Sequence, residues 1–67
     1  MNTVNFNGQD WPLPEPVTVR TMLERIGLAD KRVAVERNGQ VVPKSRHTEV
    51  VVSDGDRIEI IVAVGGG

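Results

Sequence analysis

One stretch of this chain repeats with the period of a helix, and it limits the fold more than any other feature. Val19, Met22, Leu23 and Ile26 fall at i, i+3, i+4 and i+7, which places them on one stripe. Arg20, Thr21, Glu24 and Arg25 fall on the wet side. Thr18 is placed to cap the start, and Gly27 to supply the left-handed residue that ends it. A lone amphipathic helix has nowhere to bury its stripe except another element. In a chain of 67 residues that partner must be one face of a sheet.

The strands are read from period-two alternation. In "NTVNFNGQDW", Val4 and Phe6 point one way and Thr3 and Asn5 the other. Asn7-Gly8 suits the two positive φ values of a type I′ hairpin turn, so a return strand is expected over about Gln9 to Leu13. Trp11 would cover one end of the core there. Pro12, Pro14 and Pro16 prevent a long central strand, because proline donates nothing to a ladder. Val33 and Val35 alternate with Ala34 and Glu36, Asn38-Gly39 marks a second turn, and Gln40 to Val42 begins another return strand. Pro43 to His47 reads as a loop with at most one helical turn, and "SDGDR" as a tight turn. In the final run Ile58, Ile60, Val62 and Val64 share one face; Arg57, Glu59, Ile61 and Ala63 share the other. The first and last strands are the most apolar, so they are expected to pair at the centre. The expected fold class is α+β: a ubiquitin-like β-grasp with a mixed sheet of about five strands and one main helix packed on one face. Residues 1–64 form the expected domain, and residues 65–67 a flexible glycine tail.

Most catalytic chemistry is excluded by what the chain lacks. It has no cysteine, so disulfides and thiolate metal sites are out. No apolar run approaches the roughly 18 residues of a membrane span, and "MNTVNFNGQD" has no signal-peptide pattern, so a cytoplasmic protein is expected. A formal net charge of −1 argues against nucleic acid as a partner. His47 is the sole histidine and sits in a polar stretch, which reads as a solvated loop residue. Ser45 and Ser53 have no evident base. Asp54 and Asp56 flank a glycine, which reads as a plain turn because a calcium loop needs more oxygen ligands; no metal is expected. The closing glycines precede no helix and no Walker lysine, so they are not a phosphate loop.

Two surfaces and the end of the chain remain. Lys31, Arg32, Arg37, Lys44 and Arg46 make the middle basic, whereas Glu49, Asp54, Asp56 and Glu59 make the end acidic. Such polarity either steers a complementary partner or is ordinary solvated charge. Ile61 and Ala63 lie on the face expected to look outward, which suits docking. After them, "VGGG" ends the chain in residues that carry no side chains and tolerate unusual φ and ψ. Three glycines reach roughly 10 Å, enough to present a terminal carboxylate inside a narrow channel.

The stretches "VNFNGQDW", "TVRTMLERIGL", "VAVERNGQVVPKSRH", "DGDRIEII" and the final "VGGG" together resemble the ThiS family of thiamin-biosynthesis sulfur carriers, in order and over essentially the whole chain. The resemblance implies a protein co-substrate with no catalytic residues and no bound cofactor. An E1-like adenylyltransferase of the ThiF type would consume ATP to adenylate the Gly67 carboxylate. A sulfur donor system would then convert it to a thiocarboxylate, and thiazole synthase of the ThiG type would take the sulfur. Gly67 would carry the sulfur, Gly65 and Gly66 would thread the partner's active site, and Ile61, Ala63 and Arg37 would dock. Alternatives stay open: a carrier resembling the small subunit of molybdopterin synthase or serving another pathway, a protein modifier joined to lysines through Gly67, or an interaction module without chemistry.

Overall fold

The computed structural model describes residues 3–62. Strands β1 (Thr3–Phe6) and β2 (Gln9–Pro12) form an antiparallel hairpin. A short β3 (Val17–Thr18) leads into helix α1 (Val19–Arg25). Then come β4 (Val33–Arg37), β5 (Gln40–Val42), a 3-10 turn (Lys44–Arg46), β6 (Val51–Val52) and β7 (Arg57–Val62). The main sheet runs β2-β1-β7-β4-β5. Its central pair, β1 and β7, is parallel; the remaining neighbours are antiparallel. The two most apolar strands therefore meet at the centre as expected, and the crossover between them carries the helix.

Local chemistry explains the elements. Asn7 and Gly8 have φ of 49° and 86°, and Asn38 and Gly39 have 52° and 84°, as a type I′ turn requires at both positions. Thr18 Oγ1 accepts the Thr21 N–H at 3.1 Å and caps the helix. At the other end Gly27 takes φ 79°, its N–H reaches Glu24 O, and the Leu28 N–H reaches Leu23 O at 2.8 Å. This is the Schellman closure, and Leu28 packs against the core beside it. Val19, Met22 and Leu23 are buried on the helix stripe, facing Val4, Val35, Ile58 and Ile60 from the sheet. Val42, Val52 and Leu13 complete the buried set. Each such side chain contributes roughly 1.5–3 kcal/mol by leaving water. Trp11 lies opposite Val4, tilted against Phe6 at 6.1 Å between centroids, and stays about half exposed.

One feature adds to the expected fold and one corrects an expectation. A small second sheet pairs β3 with β6, Val17 opposite Val52 and Thr18 opposite Val51. Strands of two residues leave no alternation to read. His47 is buried, with 7% exposure, where a solvated loop residue was expected. The cause is the helix N-terminus, whose first N–H groups need acceptors. Val50 O takes the Val19 N–H at 2.9 Å and His47 O takes the Arg20 N–H at 2.8 Å. That clamps segment 47–50 onto the helix and draws the imidazole inward, where Nε2 donates to Val42 O at 3.1 Å.

Candidate functional site

The described part of the site is β7, the strand that leads into residues 63–67. It is the middle strand of the five, with a neighbour on each side. On one side it pairs with β4 along its whole length, from Arg37 opposite Ile58 to Val33 opposite Val62. On the other side β1 pairs only with Arg57 and Ile58. Beyond that point Asn7 substitutes for a strand. Its φ is positive, and its carboxamide takes over the ladder: Oδ1 accepts the Ile60 N–H at 2.7 Å and Nδ2 donates to Ile60 O at 3.3 Å. Asn38, the corresponding residue of the second hairpin, does the same at the start of β7. Its Oδ1 accepts the Arg57 N–H at 2.9 Å, and its own N–H donates to Arg57 O at 2.8 Å. Both turn asparagines thus brace the strand between their hairpins.

Asp56 ties this brace together from the turn before β7. It is 7% exposed and accepts from Arg37 Nε and the Ser53 N–H, both at 2.8 Å, and from Asn38 Nδ2 at 3.1 Å. Burial alone would push its carboxyl up. The Ser53 N–H, the Arg37 and Asn38 hydrogen bonds and the Arg37 charge outweigh that and hold it below the usual carboxylate value. The "DGD" turn is therefore the anchor of the strand and not a simple reversal.

The structure separates the candidate docking residues. Ile61 is 59% exposed on the outer face, opposite Ala34. Val41 is exposed on that same face of β5. Arg37 lies opposite Ile58 on the inner face, at the far end of β7, with its guanidinium held by Asp56. Ala63, Gly65, Gly66 and Gly67 lie outside the described residues. Sequence reading missed the roles of Asn7, Asn38 and Asp56, although two Asn-Gly pairs flanking the same strand were the available signal. Among the described residues no group of three His, Asp or Glu side chains is placed to hold a metal, and no helix is long and apolar enough to cross a membrane.

A five-stranded mixed sheet with one helix, feeding its central strand toward a glycine end, invites comparison with known proteins. Residues 3–67 match the ThiS family model. The chain belongs to the ThiS family. Among curated ThiS relatives, the sulfur carrier protein ThiS of Bacillus subtilis is 39% identical over 66 residues, covering 96% of this chain and 98% of that one. The crystal structure of the ThiS thiamine biosynthesis protein from Geobacter metallireducens superposes with a TM-score of 0.84 at 29% identity, covering 97% of this chain and 99% of that chain. A thiazole synthase of Paramagnetospirillum magneticum is 43% identical over 62 residues, 92% of this chain. The chain spans only 19% of that protein's length. The β-grasp architecture is thus that of the ThiS structures, with the parallel β1–β7 pair at its centre.

Proposed function

We propose that this chain is a sulfur carrier for thiamin thiazole synthesis, and that its chemistry resides in the terminal carboxylate of Gly67. The observation that carries this reading is that the ThiS match runs through the glycine end to residue 67. A carboxylate is a poor electrophile. Attack of the Gly67 carboxylate on the α-phosphorus of ATP, in an E1-like adenylyltransferase of the ThiF type, releases pyrophosphate and gives an acyl-adenylate with a good leaving group. The outer sulfur of a donor persulfide attacks the acyl carbon and AMP departs. A thiol then cleaves the resulting sulfur–sulfur bond, leaving the thiocarboxylate. Its soft sulfur is the nucleophile handed to a thiazole synthase of the ThiG type. ATP is consumed by the partner and nothing is bound by the carrier, which acts in the cytoplasm as a co-substrate.

The body serves this chemistry as a handle. β7 is braced from both sides, so docking of the rigid surface fixes where the chain enters the partner. Gly65 and Gly66 give a stem without side chains for a narrow channel, and Ile61 with Ala63 supply apolar contact beside it. Arg37 offers only the third of its side chain that Asp56 leaves exposed. The homology to part of a thiazole synthase favours the thiamin branch over the molybdopterin one. Intact mass spectrometry tests the reading: incubation with the adenylyltransferase, ATP and a sulfur donor replaces one oxygen by sulfur. Conjugates on lysine would instead make the chain a modifier, and an unchanged mass would leave a binding module.

A further inference from the structure

A groove of about 580 Å³ opens where the end of α1 meets the start of β4. Its floor is apolar, with Leu23 at the bottom and Ala29 and Val33 beside it. Its rim is cationic, and no carboxylate is among the described residues that line it. The chain has 8 Lys and Arg residues. Arg20, Arg25, Arg37 and Arg46 sit in ion pairs. Of those without a carboxylate partner among the described residues, Lys31, Arg32 and Lys44 all line this groove, and only Arg57 lies elsewhere. They come from two segments, the loop after α1 and the 3-10 turn, which the fold brings to one place. Ile61 borders the groove, and Val33 in its wall pairs with Val62, so it lies alongside the strand leading to residues 63–67.

We propose that this groove docks an acidic segment of the carrier's protein partner, with one apolar side chain on the Leu23–Val33 floor and carboxylates against Lys31, Arg32 and Lys44. Three cations with no carboxylate partner among the described residues, converging on an apolar floor, are complementary to that combination. Residues 63–67 carry no acidic side chain, only the terminal carboxylate, which matches one of the three cations. A carrier must also bind and leave successive partners, and charge complementarity favours fast association without requiring tight binding. The choice of partner rests on the function proposed above; the groove's chemistry does not.

The experiment has two arms. In the first, an isotope-labelled full chain is titrated with the peptide Asp-Glu-Leu-Phe-Glu-Asp and followed by NMR. Shifts are expected at the Leu23, Val33 and Ile61 methyls and the Lys31 and Lys44 amides, and a peptide with lysines in place of the acids should give none. In the second, binding to a ThiF-type adenylyltransferase and to a ThiG-type thiazole synthase is measured at several salt concentrations. The triple variant Lys31→Glu, Arg32→Glu, Lys44→Glu should weaken binding to at least one of them roughly 10-fold or more at low salt and flatten the salt dependence. Arg25→Glu, outside the groove, should not. Lys44→Glu alone, on an exposed turn, keeps the test valid if the triple variant folds poorly, with about a threefold loss expected. Unchanged affinity for both proteins overturns the proposal, as do peptide shifts scattered across the surface or an oligonucleotide that displaces the peptide. If the unaltered chain binds neither protein, the functional reading fails, and the groove is judged by the peptide arm alone.

Discussion

Replacing Asp56 by alanine should unravel the brace around β7. The carboxylate is almost fully buried and accepts from Arg37, Asn38 and the Ser53 N–H. Hydrogen bonds to a charged group are worth about 1.5–3 kcal/mol each, but those of one acceptor do not add in full. Removing one partner of a buried ion pair costs about 3–5 kcal/mol. Arg37 keeps 35% side-chain exposure, so water recovers part of that loss. The expected net cost is about 2–4 kcal/mol at neutral pH, once that recovery is allowed for. For a domain of this size, where 1 kcal/mol moves the midpoint by about 4–8 °C, the Tm should fall by roughly 8–32 °C. Asp56→Asn should lie between, because an amide oxygen still accepts from Ser53 while the charge opposite Arg37 is gone. The pH dependence follows from the direction of the shift. The folded carboxyl titrates below its unfolded value of about 3.9. The carboxylate's stabilisation is therefore fully present above that value and is lost as pH falls through the folded one. Circular dichroism melts of the three proteins from neutral to strongly acid pH read all of this. An Asp56→Ala midpoint within about 3 °C of the unaltered chain at pH 7 refutes the anchor. So does a difference between the two that persists undiminished in strong acid.

The remaining tests separate brace, surface and end. Asn7→Gly keeps the positive φ but loses both bonds to Ile60, at about 1–2 kcal/mol in urea unfolding, and Asn7→Ala should lose about 1 kcal/mol more through its left-handed backbone; equal losses would show that the carboxamide and the φ were wrongly apportioned. Ile61→Asp should leave the Tm within a few degrees while weakening partner binding about tenfold, because more than half of Ile61 already faces water; a collapse of the melt would place it in the core. Removing Gly67, or capping it as an amide, should abolish sulfur loading by intact mass with an unchanged melt, and loading of the truncated chain would sink the carboxylate mechanism. A synthetic Ala-Val-Gly-Gly-Gly peptide should be loaded far less efficiently than the full chain at equal concentration, and comparable rates would make the body dispensable.

What the sequence disclosed follows the range of each signal. The helix was legible because its N-cap, period and terminating glycine agree over ten residues, 18–27. The hairpins were legible because Asn-Gly admits few alternatives. The central pairing followed from composition, because the first and last strands read as the most apolar, and Ile58 and Ile60 are indeed buried there. The β3–β6 pair was hidden by its brevity and by prolines upstream. His47 was misread because its neighbours are polar, while its burial is caused by carbonyls serving a helix N-terminus distant in sequence. The same limit applies at the site. An outward Ile61 follows from alternation alone, but the gathering of Lys31, Arg32 and Lys44 at one groove depends on where two separate loops fold. Asp56 reads as a turn residue by its neighbours and becomes an anchor only once Arg37 and Asn38 arrive from another hairpin.

These features bear on one energetic problem. Five residues follow Val62, and at about 3.3–3.6 Å each they reach at most roughly 18 Å. On the mechanism proposed above, the partner's reacting centre lies within that distance of the docked surface. Backbone freedom surrendered on entering a channel costs about 1–2 kcal/mol per residue, so five residues could cost up to about 10 kcal/mol. Glycines have little side-chain contact with which to offset this. On the proposed mechanism the favourable free energy comes from the body, through the exposed Ile61 on the outer face and the cationic groove that it borders. On this reasoning the short peptide is loaded poorly even though it contains the proposed reacting group.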